Sequence, residues 1–252
     1  MLDIKQLRVV VDNKVLLNID HFQLEEGEVF SVLGKNGAGK STLFKSICGD
    51  IPATGQRYFH QQDIERWPRQ KLARHLAVLP QSSQLNFPFS VQEVAALGLI
   101  PLSINRRQGM QLVKAMLALT DTLQFAVRPY LSLSGGERQR VHLARVLVQL
   151  SQAEQPPLLL LDEPTSAQDL AQQHRMLEMT RRLCNERHYT VLVIMHDLNL
   201  SLRYADRVGL LHAGYLVDIG KPDLVLTPAN VEQYWGYCPQ QLVTASGQCV
   251  LA

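Results

Sequence analysis

The sequence predicts an α/β fold: a mostly parallel sheet built around a phosphate-binding loop, with an N-terminal antiparallel β-subdomain and an inserted helical subdomain. Three observations lead there. Gly34-Lys35-Asn36-Gly37-Ala38-Gly39-Lys40-Ser41 fits G-x-x-x-x-G-K-[ST], with an apolar strand-like run before it and a helix-like segment after it. Residues 158–161 and 190–195 are continuous apolar runs, as strands covered on both faces of a parallel sheet require. Helix-like stretches at 137–149 and 170–185 supply the β-α-β rhythm of a doubly wound sheet.

The elements follow in order. Apolar runs at 7–11 and 15–19, separated by Asp12-Asn13 and followed by Glu26-Gly27, read as antiparallel strands. After the loop, Leu43, Phe44 and Ile47 share a helix face that Gly49 can terminate. The interval 90–127 has helical spacing in two blocks, Val91/Val94/Ala95 and Leu112/Met116/Leu119, and Ser90 with Glu93 forms a capping box. Residues 207–211 and 215–219 flank a His212-Ala213-Gly214 turn and predict a marginal hairpin. The expected organisation is one domain over 1–252. Its core is 1–88 and 132–226, the helical insertion is 89–131, and a C-terminal helix and tail occupy 227–252.

Composition excludes several classes. A chain of 252 residues with 46% hydrophobic side chains can bury a substantial core, and a formal net charge of +2 gives no basic excess to suggest nucleic acid as a partner. Cys48, Cys184, Cys238 and Cys249 form no C-x-x-C pair, which fits free thiols in a reducing compartment. The start Met1-Leu2-Asp3-Ile4-Lys5 lacks the pattern of a secretory signal, and no window has about twenty near-continuous apolar residues. A membrane role is therefore expected to be peripheral.

The chemistry is concentrated in a few motifs. In the glycine loop, backbone N–H groups can curl around phosphate oxygens. Lys40 adds a full charge, Ser41 offers a hydroxyl to Mg²⁺, and Thr42 continues the helix start. Asp162-Glu163 places two carboxylates at the C-terminal end of a buried strand, where α/β sheets bind ligands. Asp162 is expected to hold Mg²⁺, and Glu163 to orient or deprotonate the attacking water. Ser134-Gly135-Gly136-Glu137 precedes a helix. As a capping box it is merely structural, but its two glycines also expose N–H groups as a second anion site. One nucleotide in one subunit does not need two cradles, which points to a shared site.

The order Gly34–Ser41, Gln81, Leu133–Glu137, 158–163, 166–169 and His196 resembles the nucleotide-binding subunit of ABC transporters over nearly the whole chain. The resemblance implies a P-loop NTPase core and a head-to-tail homodimer that sandwiches two ATP with Mg²⁺. Each ATP would lie between one subunit's Walker A loop and the other's signature motif, Ser134 to Glu137. It also implies that Gln81 senses the γ-phosphate and the metal and that His196 contacts the γ-phosphate. Taken alone, Gln81 reads as a loop residue and His196 as a strand-end histidine. Two permease subunits in the membrane, and through them a periplasmic substrate-binding protein, are the implied partners. The implied location is the cytoplasmic face of the inner membrane.

Two departures stand out. Val9-Val10-Val11 occupies the region where family members usually carry an adenine-stacking aromatic residue, and Ser166-Ala167-Gln168-Asp169 replaces Ser-Ala-Leu-Asp. Three segments resemble importers of large iron or cobalt chelates: Leu79-Pro80-Gln81 with Phe87-Pro88-Phe89-Ser90, His196-Asp197-Leu198-Asn199-Leu200, and Gly220-Lys221-Pro222. Arg140-Val141-His142-Leu143-Ala144-Arg145 and the polar stretch 151–157 look most like the haem-importing branch. Ferric siderophore and cobalamin are the alternatives. Phe87 and Phe89 read either as core residues or as apolar anchors for a permease helix. The rival classes are a soluble ATPase of DNA repair or translation and a GTP switch. The former usually carries coiled insertions, zinc modules or two ATPase halves, and the latter needs an Asn/Thr-Lys-x-Asp motif; none is present.

Overall fold

The computed structural model describes residues 1–81, 85, 87–166, 168–245 and 247–252. They divide into two compact units, Met1–Arg66 with Leu177–Ala252, and Trp67–Met176. The first unit opens with antiparallel strands β1 (Leu2–Val11) and β2 (Lys14–Leu24). Asp12 and Asn13 both take positive φ in the turn between them, as a tight hairpin turn demands. Leu2 and Ile4 point inward and so do Leu7 and Val9. The two pairs are out of simple alternation because Gln6 sits at positive φ and the register shifts there, a bulge that returns the apolar side chains to the core.

Strand β3 (Val29–Leu33) is buried along its whole length and delivers the chain to helix α1 (Lys40–Cys48). Gly49 caps that helix in the left-handed region, as its position in the sequence predicts. β4 (Thr54–Phe59) pairs antiparallel with β1, and the short β5 (Gln62–Asp63) pairs with β4.

In the second unit α2 (Arg69–His75) leads into β6 (Leu76–Leu79). The two predicted helical blocks are α3 (Val91–Ala96) and α4 (Arg106–Leu119), and the first starts with the expected Ser90–Glu93 capping box. α5 (Gly135–Leu150) packs on both and leads to β7 (Leu158–Asp162), which runs parallel to β6. Leu158, Leu159, Leu160 and Leu161 are all buried, and each such side chain contributes roughly 1.5–3 kcal/mol on leaving water.

α6 (Leu170–Arg187) carries the chain back to the first unit. There β8 (Thr190–Ile194) lies parallel to β3, α7 (Leu198–Tyr204) follows, and β9 (Arg207–His212) flanks β3 on its other side, also parallel. β10 (Tyr215–Gly220) returns antiparallel to β9 as the predicted hairpin. The short α8 (Pro222–Val225) and α9 (Pro228–Trp235) lead to a terminal hairpin of β11 (Gln241–Val243) and β12 (Cys249–Leu251). Sequence reading expects a helix and tail here, so the hairpin is an addition. Asn199 of α7 fixes it, donating to the Leu251 carbonyl (2.9 Å) and accepting from the Leu251 amide (2.8 Å).

Candidate functional site

The predicted site residues are divided between the units. In the first, β3 ends at Leu33 and the glycine loop begins at Gly34. A Cβ on Gly34 would lie 2.1 Å from the Leu211 carbonyl oxygen of β9, so only glycine lets the loop leave the sheet at this point. Gly39 is the N-cap of α1 at φ 107° and offers no side-chain cap, and the first turn of the helix carries no acidic residue. The opening N–H groups therefore have no capping side chain, and the helix's own first turn brings no carboxylate to compete with an anion.

Lys40 is buried, and its Nζ donates to the carbonyls of Gly34 (2.7 Å) and Lys35 (3.2 Å). The ammonium is held at the base of the loop. Ser41 is exposed at the same turn, beside the half-buried Thr42. Lys35, Asn36 and Gly37 line the open side of the loop, and Ala38 packs inward. Parallel pairing of Val32 with Ile194 places His196, two residues past β8, at the sheet edge from which the loop emerges. Asp197 caps α7 by accepting from the Leu200 amide at 2.9 Å, and His196 is exposed just before that cap.

The second unit repeats the edge geometry with different chemistry. Leu79 pairs with Leu161 in parallel register, so the residues following β6 and β7 emerge side by side. Gln81 Nε2 consequently donates to Glu163 Oε2 at 2.5 Å, although 82 positions separate the two residues. Glu163 sits at φ 49°, a left-handed conformation unusual for a non-glycine residue and concentrated at functional sites. Asp162, the last residue of β7, is half-buried beside it.

Ser134 caps α5 in a complete capping box. Its Oγ accepts from the Glu137 amide (3.4 Å), while Glu137 Oε2 accepts from the Ser134 amide and hydroxyl (2.7 Å each). These bonds from Ser134, side chain first, hold the Glu137 carboxyl below its ordinary pKa. Gly135 and Gly136 form the open first turn, exposed and half-exposed respectively. The capping role of the motif is thus realised, with its backbone donors at the surface.

Two features were not legible beforehand. Gln168, the departure in the loop after β7, donates from Nε2 to Gln139 Oε1 at 3.0 Å, and Gln139 in turn donates to the Glu163 carbonyl at 3.5 Å. A polar relay therefore joins this loop to α5 and to the backbone of Glu163; the neighbouring Ala167 lies outside the described residues. Nothing in the one-dimensional spacing signals that bond. Phe87 is exposed and Phe89 half-buried, their ring centroids 6.1 Å apart, which settles the reading of Phe87 against a core role.

A glycine cradle that leads from a buried strand into an uncapped helix start is the phosphate-binding arrangement of P-loop nucleotide-binding proteins. The sequence profile of the ABC transporter family matches residues 17–166. Among curated relatives, the hemin import ATP-binding protein HmuV of Shewanella denitrificans is 49% identical over 245 residues, covering 97% of this chain and 96% of its own. That of Vibrio cholerae is 46% identical over 241 residues, covering 96% and 92%.

A putative metal-chelate type ABC transporter in an inward-facing conformation superposes with a TM-score of 0.83 at 25% identity over 100% of this chain and 97% of that one. A dimeric ATP-binding cassette in a post-hydrolysis state, bound to ADP and phosphate, gives 0.77 at 25% identity over 88% and 99%. The chain belongs to the ABC transporter family and is its ATP-hydrolysing subunit. Among the described residues no helix is long and apolar enough to cross a membrane.

Proposed function

We propose that this chain is the energy-coupling subunit of a hemin importer, and that two copies sandwich two ATP molecules and drive a membrane permease. The observation that carries the substrate is the near-full-length similarity, 42–49% identity, to eight relatives named for hemin import. Ferric siderophore and cobalamin import are the alternatives that the sequence leaves open.

In this reading the nucleotide's phosphates lie in the cradle formed by Gly34, Lys35, Asn36, Gly37, Ala38, Gly39, Lys40, Ser41 and Thr42. The cradle fits them: it combines a helix start without a capping side chain with a buried ammonium. Ser41, Gln81 and Asp162 would hold Mg²⁺, a hard-oxygen donor set suited to that ion, which would neutralise charge on the transferring phosphoryl group. Ser134, Gly135, Gly136 and Glu137 would face the γ-phosphate bound by the partner subunit. His196 would contact the γ-phosphate bound by its own subunit.

Glu163 is the base. Gln81 Nε2 donates to its Oε2, so opening that bond would turn one more lone pair of the carboxylate toward water. Closure of the two copies is a natural trigger, because the helical insertion 89–131 lies in sequence between Gln81 and the signature turn. The exposed Phe87, just before that insertion, and Phe89 are the proposed anchors for a permease helix at the cytoplasmic face of the inner membrane. The periplasmic binding protein then acts only through the permease.

Reconstitution with the cognate permease in liposomes tests the substrate. Hemin uptake on adding Mg-ATP is expected, and uptake of cobalamin or a ferric siderophore with no hemin uptake would reassign it.

A further inference from the structure

Beneath the signature turn lies a pair of buried polar rings to which the catalytic scheme gives no role. Tyr130 and His142 are both buried, and Tyr130 Oη is 2.8 Å from His142 Nε2, with the rings edge-on at 5.4 Å between centroids. His142 lies two turns into α5, the helix that begins at the signature glycines. Tyr130 lies in the short helical turn that feeds Leu133 and Ser134, and the Leu133 amide donates to its carbonyl at 3.2 Å.

The opposite side of Tyr130 is tied to the segment that carries the exposed phenylalanine. Its amide donates to the Phe89 carbonyl at 2.8 Å, and Ser90 forms a β-bridge with Pro129. Arg138, one turn into α5, completes the connection: its guanidinium stacks 5.5 Å from the Tyr130 ring centroid and donates to the Leu131 carbonyl at 2.6 Å.

We propose that Tyr130 and His142 act as a positioning strut that fixes the signature turn on α5 and ties it to the Phe87–Phe89 segment, so that the turn is held ready for the nucleotide of a second copy. The strut rests on the sandwich reading above. His142 Nδ1 has no hydrogen-bond partner among the described residues, so the bond through Nε2 is the imidazole's remaining polar anchor in a buried site. Burial first, and the nearby Arg145 second, push the imidazole down to about 4, so it stays neutral at physiological pH and keeps a lone pair.

An anchor of this kind is costly to leave half made, and its loss lets the turn from 131 to 133 sample arrangements unfit for a partner. Apparent affinity between copies then falls by the fraction that remains competent. Neither ring belongs to the phosphate cradle, so nucleotide binding by a single copy should not change.

The test uses Glu163→Gln protein, expected to retain ATP, and measures its Mg-ATP-dependent dimerisation by sedimentation alongside binding of a fluorescent ATP analogue to the monomer. Tyr130→Phe and His142→Leu in that background are expected to weaken dimerisation about tenfold with analogue affinity unchanged, and His142→Gln, which can still bond the phenol, to restore most of the loss. Tyr130→Phe keeps the ring and its packing, so it remains informative should His142→Leu fail to fold. Equal dimerisation of the parent and a folded Tyr130→Phe variant overturns the strut alone. A parent that stays monomeric with Mg-ATP overturns the sandwich reading and the strut with it.

Discussion

The two regions that carry the site residues are built by different means. In the first unit the phosphate loop is made by backbone: Gly34 fits against the Leu211 carbonyl, Gly39 leaves the α1 start without a side-chain cap, and Lys40 is held by two carbonyls of its own loop. In the second unit the corresponding edge is made by side chains reaching one another across long sequence separations. Gln81 meets Glu163, Gln168 meets Gln139, and Tyr130 meets His142. A backbone cradle binds whatever carries the right phosphate charge and is fixed by local sequence. A side-chain network can be opened and closed, which suits the role proposed for Glu163.

The largest effect should come from breaking the second region at its centre. Glu163→Gln is expected to lower the hydrolysis rate by at least about 10²-fold, the scale of a lost general base, while ATP binding by the intact cradle persists. Steady-state phosphate release and equilibrium binding on the same protein check it. Loss of both together would show that the two regions are not separable.

A pH titration sharpens the comparison further. The folded-state pKa of His142 is depressed to about 4 from 6.5, so the folded protein binds fewer protons than the unfolded chain in that window. The contribution is full above about pH 6.5 and is lost as pH falls toward 4, in total about 3 kcal/mol. Arg138 and Arg145 are charged neighbours of the ring pair, and His142→Gln keeps both of them and Tyr130. Denaturant unfolding from pH 7.5 to 4.5 should therefore show a shallower loss of stability for His142→Gln than for the natural protein.

The smallest change is Gln168→Leu, which restores the residue usual in the family. It removes a hydrogen bond worth about 1 kcal/mol and leaves Gln139 holding the Glu163 carbonyl alone, so a few-fold change in hydrolysis rate with unchanged ATP affinity is expected. An effect as large as that of Glu163→Gln would make Gln168 part of the chemistry itself.

The same division explains what could be read from the sequence. The glycine loop, Gly49, the Ser90 and Ser134 capping boxes, and the strand runs at 158–161 and 190–195 were legible, because backbone conformation and burial on both faces constrain residue type locally. The Gln81–Glu163 bond was not, since it depends on the register of β6 against β7. Resemblance pointed to both residues without revealing that they touch. The terminal hairpin escaped because its strands are three residues long and its anchor, Asn199, lies 52 positions away. Gln168 was visible as a departure, but its partner on α5 required the fold.

The claim that two copies share each nucleotide is tested most directly by mixing two inactive proteins. Lys40→Ala lacks a working cradle, and Ser134→Arg blocks the signature turn. An equal mixture forms mixed dimers in which one composite site is whole, and it should regain up to about a quarter of the natural ATPase rate when the sites act independently. A mixture as inactive as either protein alone, while both still bind to the natural subunit, would contradict the account.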